Sequence, residues 1–321
     1  MKVVFWGTRG SLPCPLTAHS IRSRLIQVLT TALDHGLGHK ERIEPFLDSL
    51  PFALRGAYGG NTSCVQITGG QDFVLCDAGS GLRDFGNAHV QAGGLKNPAR
   101  FHIFISHLHW DHLQGFPFFV PAYVPGNRVT IYGCHEDLER AFVSQQEPPF
   151  FPLPLRELKG DISFEVLAPD KEYEIAGLTV RAAPQNHPGG SFGYCFGQDG
   201  EKIVYSTDSE HHDDPENGSD QVLGFFENAD LLIFDAQYVF REAIDTKLNW
   251  GHSSNIVGVE LAARAQVRHL CLFHHEPTYD DQRLEGLLQN TINYAQIYKK
   301  MLDSPYPLSV SMAYDGMEVE I

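Results

Sequence analysis

No run of apolar residues in this chain approaches the length of a membrane span, no Pro-, Gly- or Ser-rich tract divides it, and none of its six cysteines pair as C-x-x-C. The first shortage argues against a transmembrane helix, the second against a flexible linker, and the third against a zinc ribbon or a dithiol redox motif. Cys14, Cys64, Cys76, Cys134, Cys195 and Cys271 sit mostly in apolar stretches, so they read as small buried hydrophobes rather than as disulfide partners. Basic residues are also scarce. Lys and Arg number 24 against 40 Asp and Glu, a formal charge of -16, which disfavours general attraction to nucleic acid phosphates. No internal repeat is visible. With 321 residues, 42% of them hydrophobic, the chain is long enough for a substantial core. We expect one domain over 1–321, cytoplasmic, with an opening strand at residues 2–6 that runs into a glycine turn.

What the chain has in abundance is histidine, and one stretch concentrates it. His107, His109, Asp111 and His112 form an H-x-H-x-D-H run directly after the apolar residues 101–106. In an extended segment side chains repeat every second residue, so His107 and His109 project to one side and can share a metal ion. If a helix begins at Trp110, Asp111 and His112 point from its first turn toward a neighbouring position. Imidazole and carboxylate together suit zinc, manganese or iron, and the lack of nearby cysteine argues against a closed structural site. Sixteen histidines make stray pairs common. A four-ligand run at a strand end is much rarer.

Short segments rich in β-branched or aromatic residues predict strands at 2–6, 63–68, 73–76, 101–106, 128–132, 163–167, 179–183, 192–196, 203–205, 231–235, 270–273 and 308–311. Helical periodicity appears at 18–34, 40–50, 136–145, 253–264 and 283–301. This alternation predicts an α/β protein in which two sheets are flanked by helices. Residues 17–56 break the rhythm: Ile21, Leu25, Leu29 and Leu33 recur every fourth position, and Ile43, Phe46, Leu47 and Leu50 give a second apolar face. Together they predict a helical hairpin insertion, serving either as a lid over the metal site or as a contact for a homodimer.

Further ligands are expected at strand ends, where a rigid sheet edge holds donors from distant positions together. The candidates are His187, Asp208, His252 and the adjacent pair His274 and His275. Taken with the Asp77-Ala78-Gly79 turn and the 107–112 run, their order resembles the metallo-β-lactamase superfamily. The resemblance implies an αββα sandwich of two mixed β-sheets. It also implies that His107, His109 and His187 bind one divalent ion, that Asp111, His112 and His274 bind a second, and that Asp208 bridges them. Between the two neighbours, the family pattern of a strand-end His before a polar turn selects His274.

Within the superfamily the chain is similar to the ribonuclease Z and cyclic phosphodiesterase branch. The opening Trp6-Gly7-Thr8-Arg9-Gly10-Ser11, the entry Gly59-Gly60-Asn61-Thr62-Ser63-Cys64 and the Gly251-His252-Ser253 motif carry that likeness. It implies that His252 protonates the leaving oxygen and that Asp235 orients it. It also places the turns of Asn61, Ser191 and Tyr194 near the metals, as candidate substrate contacts, and Arg9, which follows the first strand, is a candidate to pair with a phosphate oxygen.

The charge balance of such a site points the same way. Five imidazoles and two carboxylates around two divalent ions and a hydroxide leave about one net positive charge, which favours an anionic transition state. Metal coordination also lowers the pKa of water from 15.7 to about 7, and Asp111 is placed to hydrogen-bond the resulting hydroxide. The expected function is therefore metal-dependent hydrolysis of a small phosphodiester, a cyclic nucleotide for example, with zinc as the first candidate ion and manganese or iron as others. Two alternatives stay open: a transfer RNA 3′-processing endonuclease, and a lactonase or thioesterase. The acidic charge favours a small-molecule substrate over extended nucleic acid, and no membrane partner is expected.

Overall fold

The computed structural model describes residues 1–70, 72–211, 219–302 and 307–321. His212, read from the sequence as structural or solvated, lies outside them. Strand β1 (Lys2–Gly7) alternates buried and half-buried residues, with Val3 and Phe5 turned fully inward. The period-two pattern that marks it in the sequence therefore becomes one buried face and one partly covered face. It joins β2 (Cys64–Thr68), β3 (Phe73–Cys76), β4 (Arg100–Phe104), β5 (Arg128–Gly133), β6 (Asp161–Val166) and β14 (Glu318–Glu320) in a seven-stranded sheet ordered β14-β1-β2-β3-β4-β5-β6. β3 to β6 run parallel, while β14, β1, β2 and β3 pair antiparallel.

The second sheet repeats that logic in the other half of the chain. β7 (Glu172–Ile175), β8 (Leu178–Gln185), β9 (Ser191–Gln198), β10 (Glu201–Ser206), β11 (Leu231–Asp235), β12 (His269–Phe273) and β13 (Ser309–Met312) are ordered β13-β12-β11-β10-β9-β8-β7. Here β10 to β13 are parallel and β7 to β10 antiparallel. Every residue of β11 is buried. The reason is coverage on both faces: Leu231 and Ile233 pack between the sheets with Phe5, Phe104, Phe196 and Phe273, while Leu232 and Phe234 face the helical layer. Truncating one of those buried rings to alanine costs about 3–5 kcal/mol.

Helices close both outer faces, giving the expected αββα sandwich. α8 (Asn255–Arg264) and α9 (Asp281–Met301) cover the second sheet. Ser254 caps α8 by accepting from the Val257 amide and Asp280 caps α9 by accepting from that of Arg283, contacts worth about 1 kcal/mol each. Over the first sheet lies α4 (Gly81–Gln91), which the sequence reading did not anticipate. Two glycines and five polar residues hide its periodicity, and burial of Leu82 and Phe85 decides it. β7, β14, α6 (Ser219–Phe226) and α7 (Phe240–Asp245) were also unanticipated; each is short, and the two strands are rich in Glu. α5 (Leu138–Gln145) falls where expected.

Residues 17–56 hold α1 (Ala18–Asp34), α2 (Ile43–Ser49) and α3 (Phe52–Arg55). Thr17 caps α1, and Ser20 completes the box by accepting from the Thr17 amide. Arg24 anchors the helix, donating to Asp281 and to the carbonyl of Gly56. The apolar stripe seen in the sequence remains largely uncovered in the single chain, with Leu29 at 63% and Leu33 at 80% exposure. Among the described residues no helix is long and apolar enough to cross a membrane.

Candidate metal centre

The strand ends of both sheets supply the donors, because parallel strands deliver their C-terminal residues to one edge. After β4, residues 105–109 form a loop, extended at His109, that leads into a single 3-10 turn at Trp110–His112 rather than the first turn of an α-helix. His187 follows β8, Asp208 follows β10, Asp235 ends β11 and His274 follows β12. Three of the strand-end residues, Asp77, Asp208 and His274, sit at φ of 61°, 49° and 60°. Left-handed backbone at a non-glycine residue costs about 1–3 kcal/mol and persists where the surroundings over-determine it.

Two donor sets adjoin, and a third grouping of Asp208, Asp235, His252 and His274 overlaps the second. In the first, His109 Nδ1 lies 2.9 Å from His107 Nε2 and 3.1 Å from His187 Nε2. Burial holds all three imidazoles below their ordinary pKa, so they are neutral. His187 donates from Nδ1 to the carbonyl of Gly251 at 2.8 Å, which leaves its Nε2 lone pair facing the other two rings. In the second set, His112 Nε2 and His274 Nε2 both lie 3.3 Å from Asp208 Oδ1. Asp111 Oδ2 is 3.1 Å from the former and 3.3 Å from the latter. Asp208 Oδ2 turns the other way, 3.5 Å from His107 Nε2. One carboxylate thus faces both sets.

These residues fit divalent cations. The coordinating atoms within each set lie within 4.8 Å of one another. Facing lone pairs repel unless a cation or proton sits between them. His112 Nε2 is buried with no hydrogen-bond partner, close to Asp111 but at an angle that makes no bond. Burial alone would keep the His112 ring neutral, yet Asp111, Asp208 and Asp77 outweigh it and hold its pKa well above the ordinary value. Burial likewise opposes ionisation of Asp111 and Asp208, and the neighbouring imidazoles overcome it, leaving both well below the usual carboxylate range. Metal ligands bind in their deprotonated forms, so a cation held by this set would displace any proton from His112.

Beside the second set stands His252. Its Nδ1 lies 2.8 Å from Asp235 Oδ2, and its ring stacks on His274 with centroids 5.2 Å apart. Burial works against its charged form, but Asp235, by charge and hydrogen bond, raises the pKa to about 9. The backbone amides of Ser209 and Gln237 donate to the two Asp235 oxygens at 3.2 and 3.1 Å, fixing the carboxylate in turn.

His275 points away. It contacts the Ala313 carbonyl through Nε2 at 2.8 Å, and burial with the nearby Arg9 charge pushes its pKa down to about 3. Of the adjacent pair, His274 joins the cluster. The four residues expected near substrate have other partners. Arg9 is 4% exposed and donates to the carbonyls of Gly59, Glu276 and Tyr279, so its guanidinium staples backbone. Tyr194 is fully buried and donates to the Ile105 carbonyl at 2.7 Å. Ser191 is buried and bonds Gln185 and the Thr207 carbonyl. Asn61 donates to Asp84 at 2.7 Å and accepts from Ser80. Position along the chain placed these four near the centre, while side-chain direction, set by packing, turned them into its framework.

Two residues of the opening motif contribute through backbone atoms, a role their place in the motif did not specify. The Ser11 amide donates to Asp111 Oδ2 at 2.8 Å. Gly10 allows that loop to lie against His274, since a Cβ there would come 2.7 Å from the imidazole.

A buried His/Asp cluster at one edge of an αββα sandwich can hold divalent metal, and the similarities that follow make the chain a metal-dependent hydrolase. Residues 73–275 match the sequence pattern described as the beta-lactamase superfamily domain, and the chain belongs to that superfamily. It is 24% identical over 279 residues to ribonuclease Z of Thermococcus sibiricus, covering 68% of this chain and 82% of that one. Among solved structures, the metallo-beta-lactamase fold protein YhfI from Bacillus subtilis aligns with a TM-score of 0.63 at 19% identity, over 100% of this chain and 98% of that one. A diphosphatase from the PhnP family aligns at 0.60 and 18% identity, over 100% and 97%. These last two likenesses establish the fold.

Proposed function

We propose that the protein is a phosphodiesterase acting on a small phosphodiester, with cyclic nucleotides as the substrate class, at two divalent ions of which zinc is the first candidate. In this reading His107, His109 and His187 hold one ion, Asp111, His112 and His274 the other, and Asp208 serves both. The observation that carries it is the His252–Asp235 contact of 2.8 Å at the rim of the donor cluster. A thioester, which releases a thiolate, needs no such acid. An alkoxide leaving a phosphodiester does.

Divalent ions, when bound, supply a hydroxide nucleophile at neutral pH and positive charge for the phosphoryl oxygens. This chain's own residues perform the rest. Asp111, fixed by the Ser11 amide, is placed to orient the nucleophile by accepting its hydrogen bond. Asp235 takes the Nδ1 proton of His252 as a hydrogen bond and so leaves the Nε2 proton for the departing oxygen. Its negative charge keeps the imidazole protonated near neutrality. The protein's -16 charge repels anions in general, so an anionic substrate would be held only where the cluster turns positive once metallated.

The similarity to ribonuclease Z supports a second reading, cleavage of transfer RNA precursors. One panel separates them: zinc-loaded protein is assayed on a bis-nitrophenyl phosphate, cyclic nucleotides, a precursor transfer RNA, a lactone and a thioester. We expect turnover of the phosphodiester and of at least one cyclic nucleotide. Efficient, strongly salt-sensitive cleavage of the RNA would replace this proposal with the nuclease, and activity restricted to lactone or thioester would remove both.

A further inference from the structure

Glu210 lies two residues beyond Asp208, is 7% exposed, and reaches across to a different loop. Its Oε1 accepts from the Asn249 amide and its Oε2 from the Gly251 amide, each at 2.9 Å. Its own backbone is tied to a third loop: the Glu210 amide donates to the Asn186 carbonyl at 2.8 Å, and Asn186 Nδ2 donates back to the Glu210 carbonyl at 3.0 Å. The three connected segments end in His187, Asp208 and His252.

The segment that the carboxylate grips is one the chain would not adopt unaided. Asn249 and Gly251 have φ of 64° and 85°. Two amides two residues apart in such a backbone point to one side and form a small anion-binding concavity. Here the anion is a side chain of the same protein. The Gly251 carbonyl receives His187 Nδ1 at 2.8 Å. The fit is close: a Cβ on Gly251 would come 2.3 Å from that same nitrogen. His252 follows directly. The carboxylate thus holds the carbonyl that sets the His187 tautomer and, one residue later, the imidazole paired with Asp235.

We propose that Glu210 is a positioning residue that couples the two halves of the centre, fixing His187 Nε2 toward the first cation and His252 toward the leaving group through one pair of backbone hydrogen bonds. The coupling to the leaving group rests on the phosphodiesterase reading; the coupling to the metal does not. Loss of the carboxylate frees residues 249–251 to relax, and with them go the His187 acceptor and the His252 placement. Partners that orient a metal-bound imidazole change affinity by about 10–100-fold when removed.

The test uses the full chain as Glu210→Gln, nearly isosteric, and Glu210→Asp, which keeps the charge but is one methylene too short to reach both amides. Zinc affinity is measured by competition with a chromophoric chelator, and turnover is compared on phosphodiesters with nitrophenyl and alkyl leaving groups. In Glu210→Gln one of the two zinc equivalents should bind about tenfold or more weakly, and the alkyl substrate should lose more activity than the nitrophenyl one; Glu210→Asp should fall between this variant and wild type. Two tightly bound zinc ions together with an unchanged leaving-group ratio, accompanied only by a lower melting temperature, would show a purely structural role and overturn the proposal. Failure of both variants to fold would also overturn it, since positioning predicts a folded, zinc-poor protein. If wild type proves inactive on every phosphodiester, the zinc titration still decides the metal half while the function reading falls.

Discussion

Asp77 Oδ2 and His112 Nδ1 lie 2.7 Å apart, and both side chains are fully buried. The same carboxylate also accepts from the Ser106 hydroxyl at 2.8 Å and from Tyr205 at 2.7 Å, so it is held from three sides. Its contact with Nδ1 makes that nitrogen the donor and leaves Nε2 to face Asp111 and Asp208. Asp77→Asn should therefore keep the fold yet weaken metal binding by about 10–100-fold, read by chelator competition. Unchanged zinc affinity would show that His112 needs no orienting partner.

Activity on poor leaving groups should depend on a protonated His252. Its pKa is raised to about 9, so the acid form prevails at neutral pH and activity declines as pH rises through that value. Asp235→Asn removes the charge that sustains the imidazolium. The alkaline limb of the pH profile for kcat should then move to lower pH, and His252→Ala should abolish the limb while retaining zinc. A limb that persists unaltered in His252→Ala would assign it to another group.

Removing metal should destabilise the protein. Facing imidazoles and carboxylates attract only through what lies between them, and an ion that binds the native state alone stabilises it by about 4 kcal/mol at a thousandfold excess over Kd. The melting temperature should rise with added zinc and fall with chelator, and His274→Ala should blunt the response far more than His275→Gln. An equal response in both variants would contradict the orientation of the two rings.

His275 should also make the chelated protein acid-sensitive. Burial and Arg9 depress its pKa to about 3, against about 6.5 when unfolded. The unfolded chain therefore binds the proton first. The stability that neutral His275 contributes is complete above about 6.5 and is lost as pH falls toward 3, an effect on the order of a few kcal/mol. His275→Gln, which cannot titrate, should flatten that limb of stability against pH in urea unfolding. An unchanged slope would mean that other groups carry it.

Legibility followed the origin of each feature. The run from His107 to His112 could be read because two local periods, extended and then turned, act on adjacent residues. The paired sheets were legible because burial on one or both faces imprints alternating or continuous apolar segments. α4 was not, since its glycines suppress propensity and only packing of Leu82 and Phe85 makes it a helix. Arg9 and Tyr194 read as substrate contacts because sequence carries nearness to a motif but not side-chain direction. Glu210 gave no signal at all, as its partners are amides, which every residue possesses.

The amino-acid sequence by itself determined the kinds of donor available, their order along the chain, and the strand ends on which they stand, because hydrophobic patterning and residue chemistry are local. Tertiary structure decided what the sequence offered only through a resemblance, that His274 rather than His275 turns inward and that Asp208 faces both donor sets, and it alone decided that a buried carboxylate two residues later reaches the loop before His252. Those outcomes depend on backbone angles and on contacts between segments dozens of residues apart, which exist only once the two sheets have closed on their common core.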